Sequence, residues 1–96
     1  MKTFELEFLD GASREWAKLA PTIKSQFKKK LEERLRNPHI PSARLHGMRD
    51  CYKIKLRKAG YRLVYQVEDE TVTVVVIAVG RRDRNLVYEA ASQRLL

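Results

Sequence analysis

The sequence holds a single cysteine, Cys51, among its 96 residues. That excludes an internal disulfide and leaves no second thiol to share a metal ion. Its two histidines are His39, in a proline-bounded loop, and His46, before Gly47. They do not stand at metal-ligand spacing from each other, and no pair of acidic residues does either. The glycines, Gly11, Gly47, Gly60 and Gly80, are isolated from one another, which rules out a glycine-rich phosphate loop. No apolar run approaches the roughly 20 residues a membrane span requires. The start, MKTFELEFLDG, lacks the charged, apolar and small-residue regions of a secretory signal, so a cytoplasmic location without a membrane partner is expected. No cofactor or metal is expected, and any catalysis must rest on Lys, Arg and Tyr. A nucleophilic Cys51 would need a His or a cationic pocket to form thiolate; a small buried side chain near a strand start is the simpler reading.

Positive charge is abundant. The formal net charge is +8, and it is unevenly placed. Residues 44–62 carry seven Lys or Arg against the single Asp50, whereas residues 63–80 carry Glu68, Asp69 and Glu70 and no cation. So asymmetric a field attracts polyanions, nucleic acid first among them, then acidic lipid or an acidic protein. A chain of this length buries roughly 60–68% of its unfolded surface, enough for one modest core, and residues 1–96 are read as a single domain without repeats or linkers.

Hydrophobic spacing places the elements. KTFELEFL (2–9) alternates Phe4, Leu6 and Phe8 against Thr3, Glu5 and Glu7, the pattern of a half-buried strand. Asp10 and Gly11 end it, and Asp10 or Ser13 is positioned to cap a helix over 12–20. Pro21 then starts a second helix, with Ile23, Phe27, Leu31 and Leu35 recurring every four residues. The lysines at 28–30 cover most of a helical turn and read as a solvated face. The two prolines of NPHIPS (37–42) close this α-hairpin. An extended ARLHG (43–47), strands over 51–57 and 61–67, an acidic turn and the β-branched run TVTVVVIAVG (71–80) follow. That last run is predicted to be a central strand buried on both faces. NLVYEAASQRLL suggests a short terminal helix. The order predicts an α+β domain: an N-terminal strand, an α-hairpin, then an antiparallel sheet of three to four strands and a C-terminal helix, with the helices on one face.

The stretch DCYKIKLRKAGYRLVYQ (50–66) concentrates the charge. At a period of two, Tyr52, Ile54 and Leu56 face the core, and Lys53, Lys55 and Arg57 face the other way. Arg62, on the next strand, reaches the same surface if register permits. Arg81 and Arg82 leave the long strand at its end, and Tyr88 follows one to two helical turns later. An open sheet face must carry polar residues of some kind, but an ordinary one mixes Glu, Thr and Gln with Lys. The single sign here points to phosphate binding.

The runs DCYKIKLRKAGYRLVYQV, VVVIAVGRRDR and LVYEAA closely resemble the RelE toxins, ribosome-dependent mRNA endonucleases of bacterial toxin–antitoxin pairs. EWAKL, the lysine-rich second helix and NPHIPSARLHGM fit as well, so the resemblance spans essentially the whole chain. It implies that Lys53 and Lys55 are the family's two active-site lysines, Arg62 its strand arginine, Arg82 the arginine after the long strand and Tyr88 its C-terminal catalytic tyrosine. Arg44 and Arg81 match basic positions near the RNA. His46 departs from the arginine of relatives at its position, and it is read as an RNA contact without a catalytic role. The implied activity is metal-independent cleavage of mRNA in the A site of the small ribosomal subunit. The implied partners are the ribosome, mRNA, a RelB-like antitoxin and, only as a toxin–antitoxin complex, operator DNA. Two alternatives stay open: a non-catalytic toxin like ParE, which shares the fold, and an RNA- or ribosome-binding protein without activity.

Overall fold

The structure, a computed structural model, describes residues 3–96, without the side chain of Arg84. Lys2, where the first strand was expected to begin, lies outside the described residues. The elements run β1 (Glu5–Phe8), α1 (Asp10–Ala17), α2 (Pro21–Arg36), a 3-10 turn (Pro41–Ala43), β2 (Cys51–Leu56), β3 (Tyr61–Glu68), β4 (Thr73–Arg81), a second 3-10 turn (Asp83–Asn85) and α3 (Leu86–Arg94). The sheet order is β1-β4-β3-β2. Tight turns make β2, β3 and β4 antiparallel neighbours. The chain leaves β1 through the α-hairpin and returns to it only at β4, so β1 pairs with β4 in parallel, as a crossover connection requires.

Three expectations need correcting. Residues 43–47 form no strand: beyond the 3-10 turn they contribute one bridge, Arg44 to Tyr52. Pro41 favours the tight turn, and Gly47 takes a positive φ of 84° that a strand cannot use. The first helix ends at Ala17, and neither Asp10 nor Ser13 caps it; Leu9 occupies the cap position and Asp10 lies in the first turn, where a carboxylate suits the positive end of the helix dipole. The helices also do not share one face. The α-hairpin covers Tyr52, Ile54, Leu56, Leu63, Tyr65, Val67, Val74 and Val76, whereas α3 sets Val87 and Ala91 against Cys51, Val64, Ile77 and Ala78 on the opposite face.

The run of apolar residues in β4 is thereby explained. β4 lies between β1 and β3 with a core on each side, and Thr73–Val79 are all buried. A bulge adjusts its register. Val64 pairs with Ala78 but Tyr65 with Val76, leaving Ile77 as the extra residue. Ile77 and Ala78 both therefore join the α3 side, while Val76 and Val79 join the hairpin side.

β1 pairs with β4 only as far as Val76. Beyond it, the β4 groups facing that side need other partners. Glu15 of α1 accepts from the Val79 N–H at 3.1 Å, and Arg94 of α3 donates to the Ile77 carbonyl at 2.8 Å. Glu15 and Arg94 close the clamp with two N–H···O bonds of 2.9 and 3.0 Å. Gly11 leaves room for it, because a Cβ there would stand 2.7 Å from the Arg94 guanidinium carbon. On the other layer, Arg34 of α2 donates to the Lys53 carbonyl at 3.2 Å and to the Tyr65 hydroxyl at 2.9 Å. Tyr65 in turn donates to the Pro38 carbonyl at 2.7 Å.

Two outcomes test this packing. Replacing Arg94 by Leu strands the Glu15 carboxylate and the Ile77 carbonyl together, so urea unfolding of Arg94→Leu is expected to show a loss of about 1–3 kcal/mol; an unchanged midpoint would remove the clamp from the account. Cys51 is fully buried, and burial, aided by Asp50, pushes its thiol up to about 11 from 9.0. The thiol should resist an aromatic disulfide reagent at pH 8 and react fully only once denaturant unfolds the chain. Its contribution to stability is present below pH 9.0 and is lost as pH rises toward 11.

Candidate active site

β2 sets the site. Its hydrogen-bonded pairs with β3 fall at Tyr52–Tyr65, Ile54–Leu63 and Leu56–Tyr61, in step with the Val67 N–H to Asp50 carbonyl bond. Tyr52, Ile54 and Leu56 are buried under the hairpin, and Lys53 and Lys55 stand on the other face, half exposed. Register brings Arg62 directly opposite Lys55 and Val64 opposite Lys53. Val64 is covered by α3, so the cations occupy the uncovered remainder of the face that carries the terminal helix.

Arg62 pairs on its other side with Gly80. There the glycine has a visible role, since a Cβ on it would stand only 3.3 Å from the Val87 Cγ2. The first turn of α3 thus rests on the sheet beside Arg62, and Tyr88 follows Val87, half buried against the same cluster. The isolated Gly80 gave no sign of this in the sequence; only the register and the helix above it make the role legible.

Arg82 sits at the same end of the sheet. Its N–H donates to the Gly60 carbonyl at 2.9 Å, and its Nε lies 3.8 Å from where a Gly60 Cβ would be. Gly60 closes the turn between β2 and β3 with a φ of 73°, one residue from the Leu56–Tyr61 pair that adjoins Lys55–Arg62. Arg62 itself donates to the Tyr61 carbonyl at 2.9 Å, which holds its guanidinium along the strand.

Not every predicted residue joins this group. Arg81 pairs with Tyr61 and lies over its ring, 5.6 Å from the centroid; Tyr61 packs on the hairpin side, so Arg81 is set apart from Lys55. Arg44 and His46 are exposed and line a shallow cavity with Leu45, Gly47, Met48 and Arg49. That loop folds against the Cys51 end of β2 through the Leu45 N–H to Cys51 carbonyl bond, beside Lys53 but beyond it.

Like-charge crowding defines the electrostatics. Lys53, Lys55, Arg57, Arg62 and Arg82 form no salt bridge among the described residues. The Lys55 ammonium is pulled below the usual 10.5, by Lys53 first, then by desolvation, Arg57 and Arg62. A lysine in this setting is a better proton acceptor than one in water. Among the described residues, no group of three His, Cys, Asp or Glu could hold a metal ion, and no helix is long and apolar enough to cross a membrane.

The sequence reading also missed a contribution from the hairpin. Arg34, to which no role was assigned, is half buried against β2 and lies 5.7 Å from the Tyr65 ring centroid. With Ser42, Ala43, Lys53, Lys55 and Arg57 it lines a cleft of about 260 Å³ at the free edge of β2.

Residues 6–86 match the family model described as the ParE toxin of the type II toxin–antitoxin system parDE. The chain is 56% identical over 91 residues to the mRNA interferase toxin RelE of Escherichia coli K12, covering 95% of this chain and 96% of that protein. The mRNA interferase RelE of Shigella flexneri matches to the same extent. Among solved structures, an E. coli RelE double arginine mutant in the free state superposes with a TM-score of 0.90 at 52% identity, covering 98% of this chain and 99% of that one. The intact E. coli RelBE toxin–antitoxin complex gives 0.82 at 56% identity, covering 84% and 99%. With such identity across nearly its whole length, and a fold that superposes over nearly all of it, the chain belongs to the RelE toxins of the RelE/ParE family of type II toxin–antitoxin systems.

Proposed function

We propose that this protein is the toxin of a toxin–antitoxin pair and that it cuts mRNA on the ribosome without a metal ion. The observation that carries the reading is the set of unpaired cations around Lys55, whose proton they loosen. The names of its RelE relatives, which are mRNA interferases, support the same chemistry.

Cleavage begins when the 2′-OH of the substrate attacks the adjacent phosphorus. The 2′-O–P bond forms, the P–O5′ bond breaks, and the products are a 2′,3′-cyclic phosphate and a 5′-OH. Three tasks follow. The 2′ proton must leave, negative charge building on the phosphate must be offset, and the departing 5′ oxygen must gain a proton. Lys55 is the base, with Lys53 holding the ammonium charge that lowers its proton affinity. Arg62, fixed along β3, binds the equatorial oxygens as their charge grows. Arg82, at the neighbouring turn, stabilises the transition state and assists proton delivery to the leaving oxygen. Tyr88 orients the 2′-OH or stacks on a base. Arg44 and His46 contact the RNA farther along, and Arg81 contributes general attraction.

These groups sit on a partly exposed sheet surface and an open cleft at its edge. Placement of the reacting atoms is therefore delegated, and correct placement is worth roughly 7–11 kcal/mol of barrier. The ribosomal A site supplies it by holding the codon. Neutralisation falls to a RelB-like antitoxin, a partner that RelE takes in the solved RelBE complex. Operator DNA is bound only by the two together, and the toxin acts in the cytoplasm.

A second reading deserves a decisive experiment, because the family model matched is that of ParE. A ParE-like toxin would act by binding, without this catalytic set. The double variant Lys55→Ala/Arg82→Ala is expected to lose growth inhibition and to show at least about a 10²-fold slower cleavage of mRNA on programmed ribosomes. The wild type should leave the same RNA nearly intact when it is free in buffer. A double variant that stays folded and fully toxic would overturn the nuclease reading. The pH profile gives an independent check. A base acts when deprotonated, so single-turnover cleavage should rise with pH and level off below 10.5, the ordinary lysine value. Arg57→Gln removes one of the repelling charges and should move that inflection upward; a profile flat in pH would exclude Lys55 as the base.

A further inference from the structure

We propose that the cleft at the free edge of β2 is a second phosphodiester subsite, one that holds the RNA phosphate next to the scissile one. The inference rests on the nuclease reading and extends its binding surface by residues from α2 and the 3-10 turn. Arg34, Ser42, Ala43, Lys53, Lys55 and Arg57 line one cleft, four of them cationic residues, and no acidic residue lines it. None of the four cations forms a salt bridge among the described residues.

Three features favour a phosphate there. The first is preorganisation. Arg34 is held by hydrogen bonds from one nitrogen to the Lys53 carbonyl and the Tyr65 hydroxyl, and by the Tyr65 ring. Its guanidinium has five donors, and the two bonds recorded here both use Nη1, so the remaining N–H groups are presented without further loss of side-chain freedom. The second is the backbone. Because the hydrogen-bonded pairs with β3 fall at Tyr52, Ile54 and Leu56, the N–H of Lys55 points away from β3 toward the edge, next to the Arg44–Tyr52 bridge that engages the Lys53 backbone. Main-chain donors and guanidinium groups together suit an oxyanion. The third is spacing. Lys53 and Lys55 stand two residues apart on β2, about 6–7 Å along the strand, comparable to the separation of successive phosphates on an extended strand, and Arg57 follows in the turn after Leu56. Lys55 faces both Arg62 across the sheet and Arg57 along it, so the scissile site and the edge cleft adjoin at one residue.

An acidic peptide is the other polyanion such a cleft could meet. Continuity with the cation row leading to Arg62 favours RNA.

The test is single-turnover cleavage on programmed ribosomes with mRNAs carrying one neutral methylphosphonate at either linkage flanking the scissile one. Wild type is compared with Arg57→Gln, each variant referred to its own rate on unmodified mRNA, which removes any effect of the substitution on Lys55 itself. Neutralising one flanking linkage is expected to slow the wild type by about tenfold, as loss of a charge-assisted contact would. In Arg57→Gln the same replacement should cost less than about twofold. Equal slowing in both proteins, or no slowing at either linkage, would overturn the subsite, and the former is what a cleft reserved for an acidic peptide would give. A wild type that fails to cut even the unmodified mRNA would overturn the nuclease reading and the subsite with it.

Discussion

Four cations are kept close together by a sheet that cannot let them separate, and the chemistry of this protein follows from that constraint. Lys53 and Lys55 leave one face of β2 because side chains on a strand alternate, and Arg57 follows in the turn after Leu56. Arg62 is brought opposite Lys55 by the β2–β3 register. A slip of one residue would turn every one of them into the core, where Tyr52, Ile54 and Leu56 now sit. The apolar face thus enforces the charged one. Repulsion that a flexible surface would relieve by moving apart is retained, and it emerges as a lysine that holds its proton less firmly.

The rest of the fold maintains that strand pair. β4 anchors β3 along its full length, and its bulge lets both layers pack against it. The Glu15–Arg94 clamp satisfies the β4 groups that β1 does not reach and fixes α3 on the sheet. α3 in turn lies close to the sheet because Gly80 has no side chain, and Tyr88 packs half buried against the same cluster. Arg34 does the corresponding work for α2, tying the hairpin to the edge strand through the Lys53 carbonyl. Exposed cations on a rigid support make a surface suited to a substrate that another particle positions.

Much of this was legible in the sequence. Period-two alternation in CYKIKL separated core from charge, and the β-branched run TVVVIAV identified the central strand. Four-residue spacing from Ile23 to Leu35 and Pro21 at the helix start located α2. What was not legible depends on contacts distant along the chain. Leu9 and Asp10 show no local sign that the cap position would go to a leucine. The amphipathic character of α3 is weak, so nothing local revealed that it would cross to the face opposite the hairpin. The partition of Arg81 from Arg62 depends on the β3–β4 register and on the Tyr61 ring. Arg34 and Gly80 owe their roles to partners 19 or more residues away, or to a helix packed on top. Local pattern gives faces; it does not say which element will cover them.

The central claim is that confinement among like charges loosens the Lys55 proton, and a direct titration of that one ammonium tests it. In an NMR titration of the Arg82→Ala protein, with lysine side chains isotopically labelled, Lys55 should titrate below 10.5. If Lys55 titrates at or above 10.5, the charges do not act on one another as described, and the account of the active site is contradicted.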